Sequence, residues 1–246
     1  MITLSKRMET IASMITPGGV LADVGTDHGY IPIYQVQLHR NPHAIAMDLR
    51  KGPLERAREH IGQYGLTGQI ETRLSDGVAA LKPGEADSIV IAGMGGELIL
   101  HILGEGETVC RQAKELILQP QSEIAAVRRC LREQGYCINA EDMVVEDGKY
   151  YPMMRVCWRG LSKKDELPGD GNTDKPSVLE DLYGPFLLRN AHPVLQQYLC
   201  YQREQLLTIL KELKKQPDSE KIRGRMLQLE QQLSWNETAG QRMKES

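Results

Sequence analysis

Short apolar runs alternate with helical segments through the first half of the chain, and this alternation limits the fold most. Five runs have the length and composition of strands: Val20–Val24, Ala44–Asp48, Ile70–Leu74, Ser88–Ala92 and Glu115–Leu118. A first helix, with Ser5 as its predicted N-cap, precedes these strands. Further helical segments follow at Gly29–Leu38, Pro53–Tyr64, Leu98–Leu103 and Ile124–Gln134. The run Ser88–Ala92 has no polar alternation, which is typical of a strand buried on both faces of a parallel sheet. The pattern predicts an α/β fold with a parallel sheet.

The pattern changes after residue 135, where two β-rich runs follow each other, Tyr136–Val145 and Tyr150–Trp158. The connection contains Asp147-Gly148, and Asp-Gly favours a hairpin because both residues tolerate positive φ. A nicotinamide-binding domain more often continues with parallel strands. A parallel sheet that ends in an antiparallel hairpin is typical, by analogy of fold, of Rossmann-like class I methyltransferases.

The C-terminal part differs in composition. The segment Leu161–Pro176 is polar and rich in turn formers, so we predict domains at 1–160 and 177–246 joined by a linker at 161–176. Mostly apolar residues recur at alternating spacings of four and three in one set, Leu195, Leu199, Gln202, Leu206, Ile209 and Leu213. After a break at Gln216–Ser219 the same spacing recurs in a second set, Ile222, Met226, Leu229 and Leu233. This spacing predicts an antiparallel coiled-coil helical hairpin.

Charge and cysteine content limit the class of protein. The net charge is −3, yet residues 187–246 contain ten Lys and Arg against seven Asp and Glu, so the helical region is basic. A solvated surface and an RNA-facing surface are both compatible with this excess. Five scattered cysteines without metal-ligand spacing predict reduced thiols and no metal site. Because no apolar segment has the length of a signal peptide or a membrane span, we expect a cytoplasmic protein.

The turn after the first strand, Asp23–Gly29, is the candidate ligand site. In open α/β folds a nucleotide lies where a strand end meets a helix N-terminus. Gly25 lets the backbone approach a ligand closely. Asp27 stands where a dinucleotide motif has its second glycine, and a carboxylate there disfavours a pyrophosphate but suits the cationic S-adenosylmethionine.

Acidic residues also follow the next two strands. Asp48 ends the second strand, where a carboxylate accepts hydrogen bonds from ribose hydroxyls, and Asp76 follows the third, where it can accept from the adenine amino group. Either acid alone is also compatible with a simple turn. The predicted cofactor site comprises residues from four strand ends, Asp23, Gly25, Thr26, Asp48, Leu49, Asp76, Gly77, Ala92, Gly93 and Met94.

Glycines follow the fourth strand in the sequence Gly93-Met94-Gly95-Gly96. They leave an open surface beside the transferable methyl group, where an acceptor base taken out of its stack can lie. The predicted substrate-binding residues lie at this rim and at the N-terminus, namely Gly95, Gly96, Gln119, Lys6 and Arg7.

The chain resembles a known family in several segments. These are Leu4–Arg7, Asp23–Pro32 (DVGTDHGYIP), Ile91–Gly96 (IAGMGG), Leu116–Pro120 (LILQP) and Glu146–Tyr150 (EDGKY), together with the C-terminal helical pair. The family is that of the bacterial tRNA (adenine-N1)-methyltransferases that modify adenosine 22, the TrmK type. The resemblance implies a Rossmann-like methyltransferase domain with a C-terminal coiled-coil hairpin, S-adenosylmethionine as cofactor and tRNA as substrate.

A mechanism follows for three residues of the turn. Methylation of adenine N1 makes the ring cationic, so a carboxylate beside the base stabilises the transition state more than the ground state. We assign this catalytic role to Asp27. Tyr30 is expected to stack on the base or to form a hydrogen bond with it, and His28 to orient the turn or contact the exocyclic amine. A packing aromatic at Tyr30 and a turn histidine at His28 are the structural alternatives.

The sequence is also compatible with three other interpretations. They are a class I methyltransferase acting on another RNA, a protein or a small molecule, a nicotinamide-dependent dehydrogenase, and a non-catalytic module that docks through its helical hairpin. Basic residues expected to contact phosphates are Lys6, Arg7, Arg50, Lys51, Arg128, Arg129 and Arg132. We expect a monomer or a weak homodimer.

Overall fold

A computed structural model describes residues 2–160 and 178–245 of the chain. The chain divides into two compact units, residues 1–172 and 173–246. The segment Leu161–Pro176, predicted as a linker, lies outside the described residues, so the boundaries at 160 and 177 remain predictions.

The first unit contains one seven-stranded sheet in the order β3-β2-β1-β4-β5-β7-β6. Its strands are β1 Leu21–Val24, β2 Ala44–Asp48, β3 Ile70–Leu74, β4 Ser88–Met94, β5 Glu115–Pro120, β6 Tyr136–Glu146 and β7 Lys149–Trp158. The pairs among β1 to β5 are parallel, whereas β7 pairs antiparallel with both β5 and β6. Asp147 and Gly148 have φ angles of 49° and 71°. The predicted parallel sheet with a terminal Asp-Gly hairpin is thus confirmed.

Within residues 2–160, six helices connect and cover these strands. They are α1 Lys6–Met14, α2 Tyr30–Gln37, α3 Lys51–Gln63, α4 Gly96–Glu105, α5 Glu107–Gln112 and α6 Ile124–Glu133. The predicted N-cap is confirmed, since the Ser5 side chain accepts a hydrogen bond from the backbone N–H of Met8. The carboxyl ends of β1, β2, β4 and β5 therefore meet the starts of helices at one edge of the sheet, and a loop follows β3 at the same edge.

Both faces of the sheet are buried. Ile89 and Ile91 of β4 belong to one apolar cluster, and Val90 between them belongs to the cluster on the opposite face. All three are fully buried. The absence of polar alternation in this run therefore reflects its central position in a sheet that is covered on both sides.

Two helix assignments in the first unit differ from the sequence analysis. Helix α3 begins at Lys51, so Pro53 is its third residue and not its first as predicted. Proline is tolerated there because the first-turn N–H groups have no partner within the helix. The six-residue helix α5 was not predicted, since it is too short to establish a helical period.

The described residues of the second unit, 178–245, form four helices, α7 Val178–Tyr183, α8 Pro185–Arg189, α9 Pro193–Leu213 and α10 Glu220–Glu245. The pair α9 and α10 is antiparallel, because Leu206 and Leu210 late in α9 pack with Leu229, early in α10, while Leu199 bonds Asn236 further along. The prediction that Ile209 lies in the seam is wrong. Ile209 is 41% exposed, whereas Leu210 is only 6% exposed. The buried positions after Gln202 are Leu206 and Leu210, so the spacing is four residues twice in succession and not four and then three. Supercoiling of the pair remains a prediction.

No helix among the described residues is long and apolar enough to cross a membrane.

Candidate active site

The glycine turn after β1 is fixed to the neighbouring strand. The backbone N–H groups of Gly25 and Thr26 both donate to the carbonyl oxygen of Met47, each at 2.8 Å. Gly25 has a φ of 76°, and a Cβ at this position would overlap the methyl group of Met94. The turn thus requires glycine for its backbone conformation and for the approach of the β4 end.

Two buried carboxylates lie at the ends of β1 and β2. Asp23 and Asp48 are each 7% exposed. Burial, with a smaller contribution from the nearby charge of Asp48, raises the pKa of Asp23 to about 6 against a lowering contribution from Thr26. Asp48 accepts a hydrogen bond from the backbone N–H of Arg50 at 2.8 Å. Among the described residues no basic side chain pairs with Asp23.

A cavity of about 190 Å³ opens after β3. Its lining includes two predicted cofactor residues, Asp76 and Gly77, and also His101, Ile102 and Glu105 of α4. The predicted cofactor residue Leu49, after β2, is 62% exposed. An exposed leucine beside a buried carboxylate is compatible with an apolar contact to a bound nucleoside.

The donor set suits a cationic nucleoside better than a pyrophosphate. The buried carboxyl of Asp23 has an elevated pKa, and a bound cation would lower its cost of ionisation. Asp48 retains one carboxylate oxygen beyond that bonded to Arg50 for ribose hydroxyls. No group of three or more His, Cys, Asp or Glu arranged for a metal was found in the described part of the chain.

The three predicted catalytic residues form one cluster beside this turn. His28 and Tyr30 have ring centroids 5.1 Å apart and planes 10° apart. The carboxylate of Asp27 lies 3.6 Å from His28 Nε2, and its side chain is 63% exposed. This arrangement places a charge and an aromatic face together at an accessible position.

Two residues of α3 that the sequence analysis missed complete the cluster. Arg56 Nη2 lies 2.6 Å from Asp27 Oδ1. The His60 ring centroid lies 5.2 Å from that of His28 and 5.7 Å from that of Tyr30. Their i, i+4 spacing is a helix-face signal, but only the packing of α3 reveals that this face meets the turn.

The glycine loop after β4 is held by Gln119 of β5. The Gln119 side-chain oxygen accepts from the Gly93 N–H at 3.2 Å and from Arg7 Nη1 at 3.0 Å. Gln119 is fully buried, so it supports the loop from beneath. Arg7 also stacks on Tyr151, with its guanidinium carbon 5.2 Å from the ring centroid.

The other predicted rim residues differ in exposure. Gly93 is exposed, Ala92, Met94 and Gly95 are half-buried, Gly96 is buried, and Lys6 is exposed at the start of α1. The Gly96 N–H donates to Ser122 Oγ at 3.2 Å. The loop therefore presents Gly93 to solvent while its C-terminal end continues into α4.

One basic residue is placed differently from the sequence prediction. Arg128 is 2% exposed, and its Nε lies 2.8 Å from Glu141. The prediction that Arg128 contacts phosphates is therefore wrong, because its guanidinium is buried in an ion pair. Arg50, Lys51 and Arg129 are exposed, in keeping with their predicted role.

Comparisons with known proteins identify the fold and the family. Residues 4–154 match a family model described as a methyltransferase domain. A Bacillus subtilis protein named tRNA (adenine(22)-N(1))-methyltransferase is 34% identical over 93% of each chain. These matches favour methyl transfer over nicotinamide-dependent hydride transfer.

Solved structures agree over nearly the whole chain. The B. subtilis tRNA methyltransferase TrmK is 31% identical, with a TM-score of 0.82 over 98% of this chain and 100% of that chain. A Streptococcus pneumoniae protein solved with S-adenosyl-L-methionine has the same identity and TM-score over 97% and 100%. The predicted class I methyltransferase fold is thus confirmed, and the chain belongs to the tRNA (adenine(22)-N1)-methyltransferase family.

Proposed function

We propose that this chain transfers the methyl group of S-adenosylmethionine to N1 of adenosine 22 in tRNA. The observation that carries the proposal is the similarity to the B. subtilis protein named tRNA (adenine(22)-N(1))-methyltransferase, which extends over 93% of each chain. The acceptor is the finer part of the proposal, since the methyltransferase fold alone is compatible with another RNA, a protein or a small molecule.

Residues at four strand ends are suited to hold the cofactor. S-adenosylmethionine supplies an electrophilic methyl group when bound. Asp23 offers a buried carboxylate to its positive charge, and Asp48 offers an acceptor to the ribose hydroxyls. To Asp76, which lines the cavity together with His101, we assign a hydrogen bond from the adenine amino group. Gly25 and Gly93 allow the backbone to approach without side-chain interference.

The base requires position more than activation. Adenine N1 has an available lone pair, so no general base is needed to create the nucleophile, and alignment supplies much of the rate. The exposed carboxylate of Asp27 can accept from the exocyclic amine and stabilise the charge that develops on the ring. Tyr30 offers the base an aromatic face. Gly93 is exposed at the end of β4, the strand that pairs with β1, and it leaves room for the base at this edge.

The location and assembly of the protein belong to the same proposal. A tRNA substrate supports a cytoplasmic location, and we propose a monomer or a weak homodimer. Sedimentation at several protein concentrations tests the second point, and a stable trimer or larger assembly would contradict it.

The function is tested by methyl transfer to unmodified tRNA followed by nucleoside analysis. We expect 1-methyladenosine at position 22, and no incorporation into a matched transcript with guanosine at that position. Methylation of the guanosine-22 transcript at the wild-type rate, or a product other than 1-methyladenosine, would overturn the proposed acceptor.

A further inference from the structure

The segment between β1 and α2 has an unusual backbone conformation. His28 has a φ of 101° and is followed by Gly29 at 70°. Positive φ is uncommon for a residue with a side chain, and such conformations persist only where surrounding contacts enforce them. The contacts that hold this segment therefore control where Asp27 and Tyr30 point.

One face of α3 supplies those contacts. His60 Nδ1 lies 3.1 Å from the carbonyl oxygen of His28, and because a carbonyl only accepts, this nitrogen is the N–H donor. A Cβ placed on Gly29 would lie 3.4 Å from the Cβ of Ala57, so the helix packs directly against the segment. Arg56 bonds the carboxylate of Asp27 from the same face.

The imidazole of His60 also supports the aromatic rings. The three centroid separations among His28, Tyr30 and His60 lie between 5.1 and 5.7 Å, and the planes differ by 10° to 21°. No ring lies between the other two, since all three separations are similar. His60 thus touches both rings of the segment and its backbone.

We infer that Arg56 and His60 are positioning residues for methyl transfer. Arg56 orients the Asp27 carboxylate, and His60 holds the His28 backbone and the Tyr30 ring, without either residue contacting the cofactor. This inference rests on the proposed function. It assigns α3 a role in the alignment of the base that neither the sequence motifs nor the relatives' names indicate.

Substitutions that separate the donor from the ring test the role of His60. His60→Asn retains a side-chain N–H donor near the position of Nδ1 and loses the ring, His60→Phe retains a ring and loses the donor, and His60→Ala loses both. We expect kcat for tRNA methylation to fall by about 10- to 100-fold in His60→Ala, because small displacements of reacting groups have effects of this size. His60→Asn and His60→Phe should each recover part of the loss, while the Kd for S-adenosylhomocysteine changes less than about twofold.

Arg56 is tested through its partner. Arg56→Gln should lower kcat several-fold, and the double variant Asp27→Asn/Arg56→Gln should be no slower than Asp27→Asn alone, because Arg56 acts through Asp27. Multiplicative effects would show that Arg56 acts independently and would overturn its assignment. Arg58→Ala is the matched control, since Arg58 contacts Glu55 and Thr72 on another side of α3, and it should retain wild-type kcat.

The outcomes distinguish this inference from the proposed function. Wild-type protein that forms no 1-methyladenosine overturns the proposed function. Active wild type together with wild-type kcat in both His60→Ala and Arg56→Gln overturns the positioning role alone. Should His60→Ala fail to fold, His60→Asn, His60→Phe and Arg56→Gln decide, and wild-type kcat in all three has the same consequence. A fall in kcat matched by an equal loss of S-adenosylhomocysteine binding would also overturn the inference, because it would place the effect in the cofactor site.

Discussion

We expect Asp23 to have opposite effects on stability and on cofactor binding. Its pKa is raised by burial from 3.8 to about 6, so the folded protein binds more protons than the unfolded chain between these values. The free energy of unfolding therefore falls as the pH rises from about 4 to about 6 and stays lower above it. A shift of this size corresponds to about 3 kcal/mol at neutral pH.

Asp23→Asn should therefore stabilise the free protein at pH 8 and weaken its binding of S-adenosylmethionine. The amide has no charge to desolvate, but it also lacks the charge that attracts the cationic cofactor, so we expect about a tenfold or larger increase in Kd. Thermal unfolding and calorimetric titration between pH 5 and 8 measure both effects. Wild-type affinity should fall below pH 6, whereas that of the variant should stay constant; an equal pH dependence in both would show that Asp23 is not the titrating group.

Two substitutions of Tyr30 distinguish contact with its aromatic ring from hydrogen bonding by its hydroxyl group. Tyr30→Phe keeps the face that adjoins His28, and Tyr30→Ala removes it. Stacking of a base on an aromatic side chain contributes about 1–3 kcal/mol, so the alanine variant should lose roughly 5- to 150-fold in kcat/KM while cofactor affinity is unchanged. Steady-state kinetics with saturating cofactor provide the measurement. Full activity in Tyr30→Ala would remove Tyr30 from the site.

The residues of the site were only partly predictable from the sequence. Asp48 ends β2 and Asp76 lies two residues beyond β3, so their common edge could be deduced once these two strands were predicted. Arg56 and His60 lie on a helix whose sequence does not indicate which neighbour its polar face meets, and their role depends on tertiary packing. Gln119 was predicted at the substrate rim, but its side chain is bonded to Arg7 and Gly93 beneath the loop.

Among the secondary-structure elements, strands were predicted more closely than short helices. The bounds of β2 and β3 agree with the predicted ones, because turn formers flank two distinct apolar or β-prone runs. The helices α5, α7 and α8 have six, six and five residues, which is too short to establish a helical period. In α9 the apolar seam shifts from the expected Ile209 to Leu210, since the sequence offers apolar residues at both positions.

A polar contact between α9 and α10, made by Asn236, favours one alignment of the two helices. Asn236 is 3% exposed, and its Nδ2 donates to the Leu199 carbonyl at 3.0 Å and to Gln202 Oε1 at 2.9 Å. Tyr183 of α7 donates to the same Gln202 oxygen at 2.9 Å. The buried Asn236 and the half-buried Gln202 thus join three helices, and a polar pair of this kind favours a single register.

Asn236→Leu should destabilise the second unit by about 1–3 kcal/mol, because it removes a donor from buried acceptors. Gln232→Leu, at an exposed position of α10, is the matched control and should change stability by less than about 0.5 kcal/mol. The chain has two tryptophans, so urea unfolding in a Trp158→Phe background reports on Trp235, next to the substituted residue. Equal midpoints for Asn236→Leu and its control would show that the amide pair contributes no stability.

At the scale of the whole molecule, charge is distributed unevenly between the two units. The chain has a net charge of −3, whereas residues 187–246 have ten basic against seven acidic residues. Several cations surround the turn between α9 and α10. Lys215 pairs with Glu212 at 2.7 Å, whereas Lys211, Lys214 and Lys221 are exposed and form no ion pair within the described part of the chain. Unpaired lysines are available to neutralise phosphates and release their counterions.

The variant Lys211→Gln/Lys214→Gln should therefore bind tRNA more weakly and with a smaller salt dependence. Removal of each phosphate contact should reduce the slope of log K against log salt by about one, and it should raise KM for tRNA while kcat is retained. Lys82→Gln/Lys114→Gln is the matched control, since both lysines lie in the first unit in loops before β4 and β5, and Lys114 already pairs with Asp87 at 2.8 Å. Filter binding between 50 and 200 mM salt, roughly the range over which such contacts lose most affinity, measures the slopes. Identical slopes for the two double variants would exclude these lysines from the RNA interface and leave the basic excess of the helical unit as a solvated surface.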